Sequence, residues 1–197
     1  FYPEQHLASQ CGITYTGRLI SLATRDPRLL FEAVSRFDRE KLIDPDQFRI
    51  QWYVDAGSKA IIMQAATAYP VARYMDFFDY VPASEIPGVL NRSSILLQLA
   101  NTFASDGPKG FMTTKLFESM AVGKPLLCVK SDESCLEATI RNTHSGLAAR
   151  TAEEAFRFIL HHYQFWQDNG YTHINTDKEA VERFSRKKQA EQFMRIF

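Results

Sequence analysis

Short apolar runs recur along this chain, separated by longer stretches whose apolar residues fall at helical spacing. The runs predict six strands at Gly12–Thr16, Phe48–Val54, Arg73–Tyr80, Ser94–Ala100, Leu126–Val129 and Gly146–Ala149. Helices are predicted between and after them at Pro27–Phe37, Ser58–Thr67, Ser84–Leu90, Thr113 or Thr114 to Val122, Glu133–Arg141 and Ala152–Asp168. Strict alternation of strand and helix argues an α/β fold, a doubly wound, six-stranded parallel sheet of Rossmann-like type with right-handed crossovers. Continuous apolar runs such as Ser94–Ala100 and Pro125–Lys130 fit strands covered on both faces. The tail Asp177–Phe197 reads as one further helix, with Val181, Phe184, Phe193 and Ile196 as its apolar stripe.

The helix before the fifth strand is the best punctuated. Thr113 or Thr114 offers an N-cap, Gly123 a C-terminal stop, and Pro125 follows just beyond it. Leu116, Phe117 and Met120 supply its buried side, which leaves Lys115, Glu118 and Ser119 on the polar side. What Glu118 faces decides the functional reading.

Composition narrows the partners. The 197 residues fit one domain, with 45% hydrophobic content ordinary for a globular core. The 23 basic and 23 acidic residues cancel, so nothing global favours nucleic acid or an anionic membrane, and any anion site must be local. Three cysteines (Cys11, Cys128, Cys135) are too few for a disulfide scaffold, and with Cys128 in an apparent core strand they point to a reducing, cytoplasmic compartment. They show no metal-ligand spacing. No apolar stretch approaches a membrane span and no signal-like leader is present. A chain that opens at Phe1 reads as a fragment.

With six strands in the common order 3-2-1-4-5-6, the first and fourth are neighbours and the crevice between their ends is where ligands bind. Two loops border it. Gly17–Asp26 carries Arg18 and Arg25; Asn101–Thr113 leads into the helix of Glu118. Both deliver a helix N-terminus, with free backbone N–H groups and a positive dipole end, to the same place. The arginines and Lys115 strengthen this anion site, and Glu118, one turn further in, is placed to accept hydrogen bonds from hydroxyls attached to the anion. A phosphate beside a diol describes a nucleotide.

The common nucleotide motifs are absent. Gly17-Arg18-Leu19-Ile20-Ser21-Leu22 is too bulky for a dinucleotide turn, and Asp55, at the end of the second strand, lies well beyond the usual distance of about 20 residues for a ribose-binding acid. No P-loop occurs either.

The sequence resembles the C-terminal, donor-binding domain of group 1 glycosyltransferases of GT-B architecture, which use nucleotide sugars. Tyr15-Thr16-Gly17-Arg18, Arg25-Asp26-Pro27 followed by Leu29-Leu30-Phe31-Glu32-Ala33, and Val81-Pro82-Ala83-Ser84-Glu85-Ile86 carry part of the likeness. Thr114-Lys115-Leu116-Phe117-Glu118-Ser119-Met120-Ala121-Val122-Gly123-Lys124-Pro125 carries most of it, and the whole covers about Ile13 to Gly146. The resemblance implies that Glu118 holds the donor ribose and that Gly17 and the backbone at Thr113 and Thr114 meet the diphosphate. It implies that Arg25 neutralises the leaving group, with Lys115 and Arg18 as further candidates. It places the base at Tyr80, Val81 and Pro82, and the donor sugar against the loop Gly110, Phe111 and Met112. Many relatives carry a second glutamate where this chain has Gly110, eight residues before Glu118, so Lys109 or Asp106 is expected to take over sugar contacts.

The resemblance further implies hexosyl transfer, with retention, from a UDP- or GDP-linked donor to a glycan or lipid-linked acceptor, without metal. The acceptor site then lies on an N-terminal domain absent from this chain, and the fragment alone is expected to be inactive. A non-catalytic nucleotide or phosphometabolite binding module on the same sheet is the alternative.

Plainer readings stand beside these. Glu118 fits a solvated residue favoured by the helix dipole, and Arg25 an ion pair with Asp26 or Glu32. Asp44-Pro45-Asp46 reads as a turn rather than a metal site. Asp76 and Asp79 cannot share a strand face. His161-His162 read as surface or packing residues, and Asn91-Arg92-Ser93 is a formal glycosylation sequon. Arg183, Arg186, Lys187 and Lys188 beside aromatic residues suit a membrane surface, but packing of the tail against the N-terminal domain or the body of this one is the preferred expectation.

Overall fold

The computed structural model describes residues 2–101 and 110–195. In chain order the elements are β1 (Cys11–Thr16), α1 (Arg28–Glu40), β2 (Phe48–Tyr53), α2 (Ala56–Ala66), β3 (Met75–Phe78), α3 (Ile86–Arg92), β4 (Ile95–Leu99), α4 (Thr114–Val122), β5 (Leu126–Val129), α5 (Cys135–Asn142), β6 (Gly146–Ala149), α6 (Ala152–Asn169), α7 (Lys178–Glu182) and α8 (Arg186–Phe193). The strands form one parallel sheet in the order β3-β2-β1-β4-β5-β6. The chain reverses its winding between β1 and β4, as the alternating pattern predicts.

Two apolar layers sandwich the sheet. On one face Ile13, Tyr15, Ile50 and Trp52 meet Phe31 and Phe37 of α1 and Ile159 and Tyr163 of α6. Phe37 stacks on Phe156 with ring centroids 4.3 Å apart, fastening α1 to α6. On the other face Leu96, Leu126 and Cys128 meet Leu116 and Met120 of α4 and Leu136 and Ile140 of α5.

β4 and β5 are buried throughout, as their continuous apolar runs imply. β2 instead alternates: Phe48, Ile50 and Trp52 are buried, whereas Arg49, Gln51 and Tyr53 are only partly so. Their face is polar, with Thr14 Oγ1 donating to Gln51 Oε1 at 2.9 Å and Ser93 Oγ donating to Thr14 Oγ1 at 2.8 Å.

Two predicted elements change. Ala72–Tyr74 is a 3₁₀ turn rather than the start of the third strand. Its cause lies in side chains: the Tyr74 hydroxyl donates to Asp38 Oδ1 at 2.6 Å and Arg73 pairs with the same carboxylate, which pulls this segment toward α1. The tail is two helices rather than one. Ser185 interrupts it, its hydroxyl accepting the Lys188 N–H at 3.2 Å as the N-cap of α8, while Asp177 caps α7. Phe184, at the break, stacks on Phe117 with centroids 5.4 Å apart, and Val181 packs beside it. This part of the tail is therefore fastened to the body through α4. Arg183, Arg186, Lys187 and Lys188 are exposed, and Ile196 lies outside the described residues. Among the described residues no helix is long and apolar enough to cross a membrane.

Residues with plain readings in the sequence have defined places. The Asp46 N–H donates to Asp44 Oδ1 at 2.9 Å within a turn, and Arg49 Nε reaches Asp76 Oδ2 at 2.7 Å. Asn91 is buried, its amide bonded to Tyr2 O and its carbonyl accepting the Glu4 N–H. His161 is exposed; His162 is buried edge-on against Phe158, and burial pushes its pKa down to about 4, so it is neutral.

Candidate functional site

The site lies over the carboxyl ends of β1 and β4. β1 runs into Gly17, whose φ of +143° is open to glycine but strained for other residues. An added Cβ there would also stand 2.8 Å from Cε of Lys115 and closer still to its ammonium, so the lysine would have to swing away from this position. Lys115, in the first turn of α4, thus lies across the bare backbone of Gly17, with Nζ 5.7 Å from the centroid of the buried Tyr15 ring. Glycine after β1 serves the close approach of a cation rather than a glycine-rich phosphate turn.

Arg25 comes to the same place from the β1–α1 loop. Its Nε donates to Asn101 Oδ1 at 2.7 Å and its Nη1 to Arg18 O at 2.5 Å, an oxygen that also accepts the Tyr15 hydroxyl at 3.1 Å. The ion pair with Asp26 or Glu32 does not form, because Asp26 is taken by Arg28. Burial, and then the nearby Arg25 charge, lower the Lys115 pKa from the usual lysine range; Glu118 opposes them. Two cations held side by side with little carboxylate compensation favour an anion between them.

Glu118 sits one turn beyond Lys115, half-buried. Burial raises its pKa from the usual carboxylate range, against the pull of Lys115 and Arg186. It makes no hydrogen bond or ion pair with any described residue. A carboxylate that is partly desolvated yet unpartnered is poised to accept from ligand hydroxyls, which a solvated surface residue is not.

Thr113 is the N-cap of α4 but its side chain caps nothing, and its buried Oγ1 has no partner. The expected side-chain cap is therefore absent. The Leu116 N–H bonds back to Thr113 O at 3.1 Å, while among the described residues no side chain caps the N–H groups of Thr114 and Lys115, the condition an anion at a helix start requires.

Arg18 does not join Arg25 and Lys115. Its Nε turns to Asp55 Oδ2 at 3.3 Å, and the exposed Tyr80 donates its hydroxyl to the same oxygen at 3.0 Å. Asp55 is also the N-cap of α2, accepting the Ser58 N–H at 2.7 Å. Hydrogen bonds from Ser58 lower its pKa, with smaller help from Tyr80 and Arg18. Tyr80 leads into Val81 and Pro82, beyond the end of β3. The structure thus divides these predicted residues into an inner group (Gly17, Arg25, Lys115, Thr113, Thr114, Glu118) and an outer wall (Arg18 and Tyr80), the outer two joined by Asp55, which was not among them.

The loop before α4 leans on α5. Gly110 has φ +78°, and a Cβ there would meet Cys135 Sγ at 3.0 Å, so a glutamate at this position would be strained and crowded. Met112 Sδ accepts the Thr139 hydroxyl at 3.3 Å, and Phe111 and Met112 are partly exposed at the rim. Asp106 and Lys109 lie outside the described residues. Among those described, no group of three or more His, Cys, Asp or Glu is arranged to hold a metal.

The sequence reading missed Asn101 and the partnership of Asp55 with Arg18. A polar residue two positions past the buried strand β4, at the reversal point, is the available signal for Asn101; Asp55 was visible only as a strand-end acid.

No protein-family model matches this sequence, and no curated protein is similar to it. Solved structures resemble it in fold. TarM from S. aureus superposes with a TM-score of 0.64 at 12% identity over 99% of this chain and 37% of its own. HepE (Alr3699) from Anabaena does so with 0.64 at 16% identity over 95% of this chain and 49% of its own. A C-terminal domain of a group 1 family glycosyl transferase, LpcC from Francisella tularensis, gives 0.54 at 13% identity over 87% of this chain and 96% of its own. The chain therefore has the fold of the C-terminal half of group 1 GT-B glycosyltransferases, and spans roughly a third to a half of TarM and HepE.

Proposed function

We infer that this chain is the donor-binding half of a glycosyltransferase that uses a nucleotide-diphosphate sugar. One observation carries the reading: Lys115 laid across Gly17 beside Arg25, with Glu118, which has no hydrogen-bond or ion-pair partner among the described residues, one turn further along α4. The cations and the start of α4 receive the diphosphate, Glu118 the ribose hydroxyls, the segment Tyr80, Val81 and Pro82 the base, and the loop Gly110, Phe111 and Met112 the sugar. As the sugar leaves, negative charge grows on the diphosphate, and preorganised N–H groups with Arg25 and Lys115 stabilise it without a metal. Arg18 joins them only by releasing Asp55. The fold supports the reading, since the TarM and HepE structures contain UDP.

A hexosyl group is the proposed cargo, a glycan or lipid-linked molecule the proposed acceptor, and a preceding domain of a longer chain the proposed partner, so this chain alone transfers nothing. A non-catalytic nucleotide module is favoured by one observation only, the left-handed backbone and close Cys135 side chain that make glutamate at Gly110 strained.

A melting titration with UDP, GDP and NAD tests the reading, because a ligand bound only by the native state raises Tm by mass action. UDP or GDP is expected to raise Tm by several degrees, about 2.7 kcal/mol of added stability at one hundred times Kd. A response to NAD alone, or to none of the three, contradicts it.

A further inference from the structure

The cationic side of the site depends on a neutral residue. Arg25 arrives on a loop, and a long side chain on a loop has many rotamers from which to meet a phosphate. Two hydrogen bonds remove that freedom. Nη1 is held by Arg18 O on the β1 side of the crevice, and Nε by Asn101 Oδ1 on the β4 side. The first acceptor is itself fixed, since the buried Tyr15 donates its hydroxyl to the same carbonyl. The second is fixed by its place, for Asn101 follows directly on Ala100, whose N–H bonds to Val129 O beside the buried end of β4.

Arg25 thus spans the two strands between which the chain reverses its winding. Asn101 is suited to this task by being uncharged. A carboxylate at the same point would neutralise Arg25, in the way that Asp55 engages Arg18 and Asp26 engages Arg28. An amide oxygen orients the guanidinium while leaving its full charge for the ligand.

We propose that Asn101 is the positioning residue for Arg25, setting the guanidinium toward the diphosphate of a bound nucleotide. This rests on the nucleotide reading of the site. Asn101 touches no reacting atom in this scheme; it acts through Arg25. Its removal therefore costs affinity only while Arg25 is present.

The test is a double-mutant cycle on UDP affinity, measured by calorimetry on this chain. Asn101→Ala is expected to weaken UDP about tenfold, the order of one charge-assisted hydrogen bond. Arg25→Ala should weaken it more, and Asn101→Ala added to Arg25→Ala should change affinity by less than about twofold, because coupled sites are not additive. Melting of each variant reports folding; Asn101→Ser, whose hydroxyl stops short of Arg25, replaces the alanine variant if that one does not fold. Equal losses from Asn101→Ala with and without Arg25 would make the residue merely structural and overturn the proposal while leaving the nucleotide site intact. A wild-type chain that binds neither UDP nor GDP overturns both.

Discussion

Lys115→Ala is expected to weaken UDP binding by roughly 30-fold or more, about 2 kcal/mol, as for removal of one partner from a partly buried charge pair. The lysine is held over Gly17 by its own helix, next to Arg25, so little reorganisation precedes contact with phosphate. Its lowered pKa adds a pH signature. Phosphate binding raises the pKa again, so the contribution of Lys115 is complete below its free-state pKa and is lost as pH rises from there toward the bound-state value. Affinity should begin to fall at a lower pH than an ordinary lysine would give, and Lys115→Ala should flatten that decline. An unchanged affinity in Lys115→Ala, measured by calorimetry from neutral to alkaline pH, would remove the lysine from the site.

The largest effect on the fold is expected far from the crevice. Gly146 begins β6 opposite Leu126, so close that an added Cβ would lie 2.6 Å from Leu126 C and 2.8 Å from its N. These are backbone atoms of a buried strand and cannot swing aside. Gly146→Ala must therefore part β5 from β6, at a cost of about 3 kcal/mol or more. For a chain of this size that is a Tm lower by roughly 10 °C. Leu147→Ala in the same strand is the comparison; if Gly146→Ala melts no lower than that variant, the close approach of the two strands is not as described.

Much of this was legible in the sequence, for reasons that differ by residue. Apolar runs fix strands where both faces are covered, so β4 and β5 were read with near-correct limits. Gly123 marked the end of α4 because a left-handed residue was needed there, and it has φ +70°. The tail was misread as one helix because its helical spacing runs through Ser185, while the stop depends on that hydroxyl turning back to Lys188. The same limit governed the site. Lys115 and Glu118 follow from the register of one helix, whereas Arg18 has two possible directions and only the position of Asp55, carried in by β2, decides between them. Asn101 was missed because its partner lies 76 residues earlier.

The central claim is that Glu118 receives the ribose of a nucleotide whose diphosphate lies on Lys115 and Arg25. Calorimetric titration of UDP and GDP into the wild-type chain and Glu118→Ala tests it most directly. The account predicts saturable binding of at least one nucleotide, weakened about tenfold or more when the carboxylate is removed, the scale of hydrogen bonds to a charged group. Equal affinity in the two proteins, or no binding to either, would contradict it.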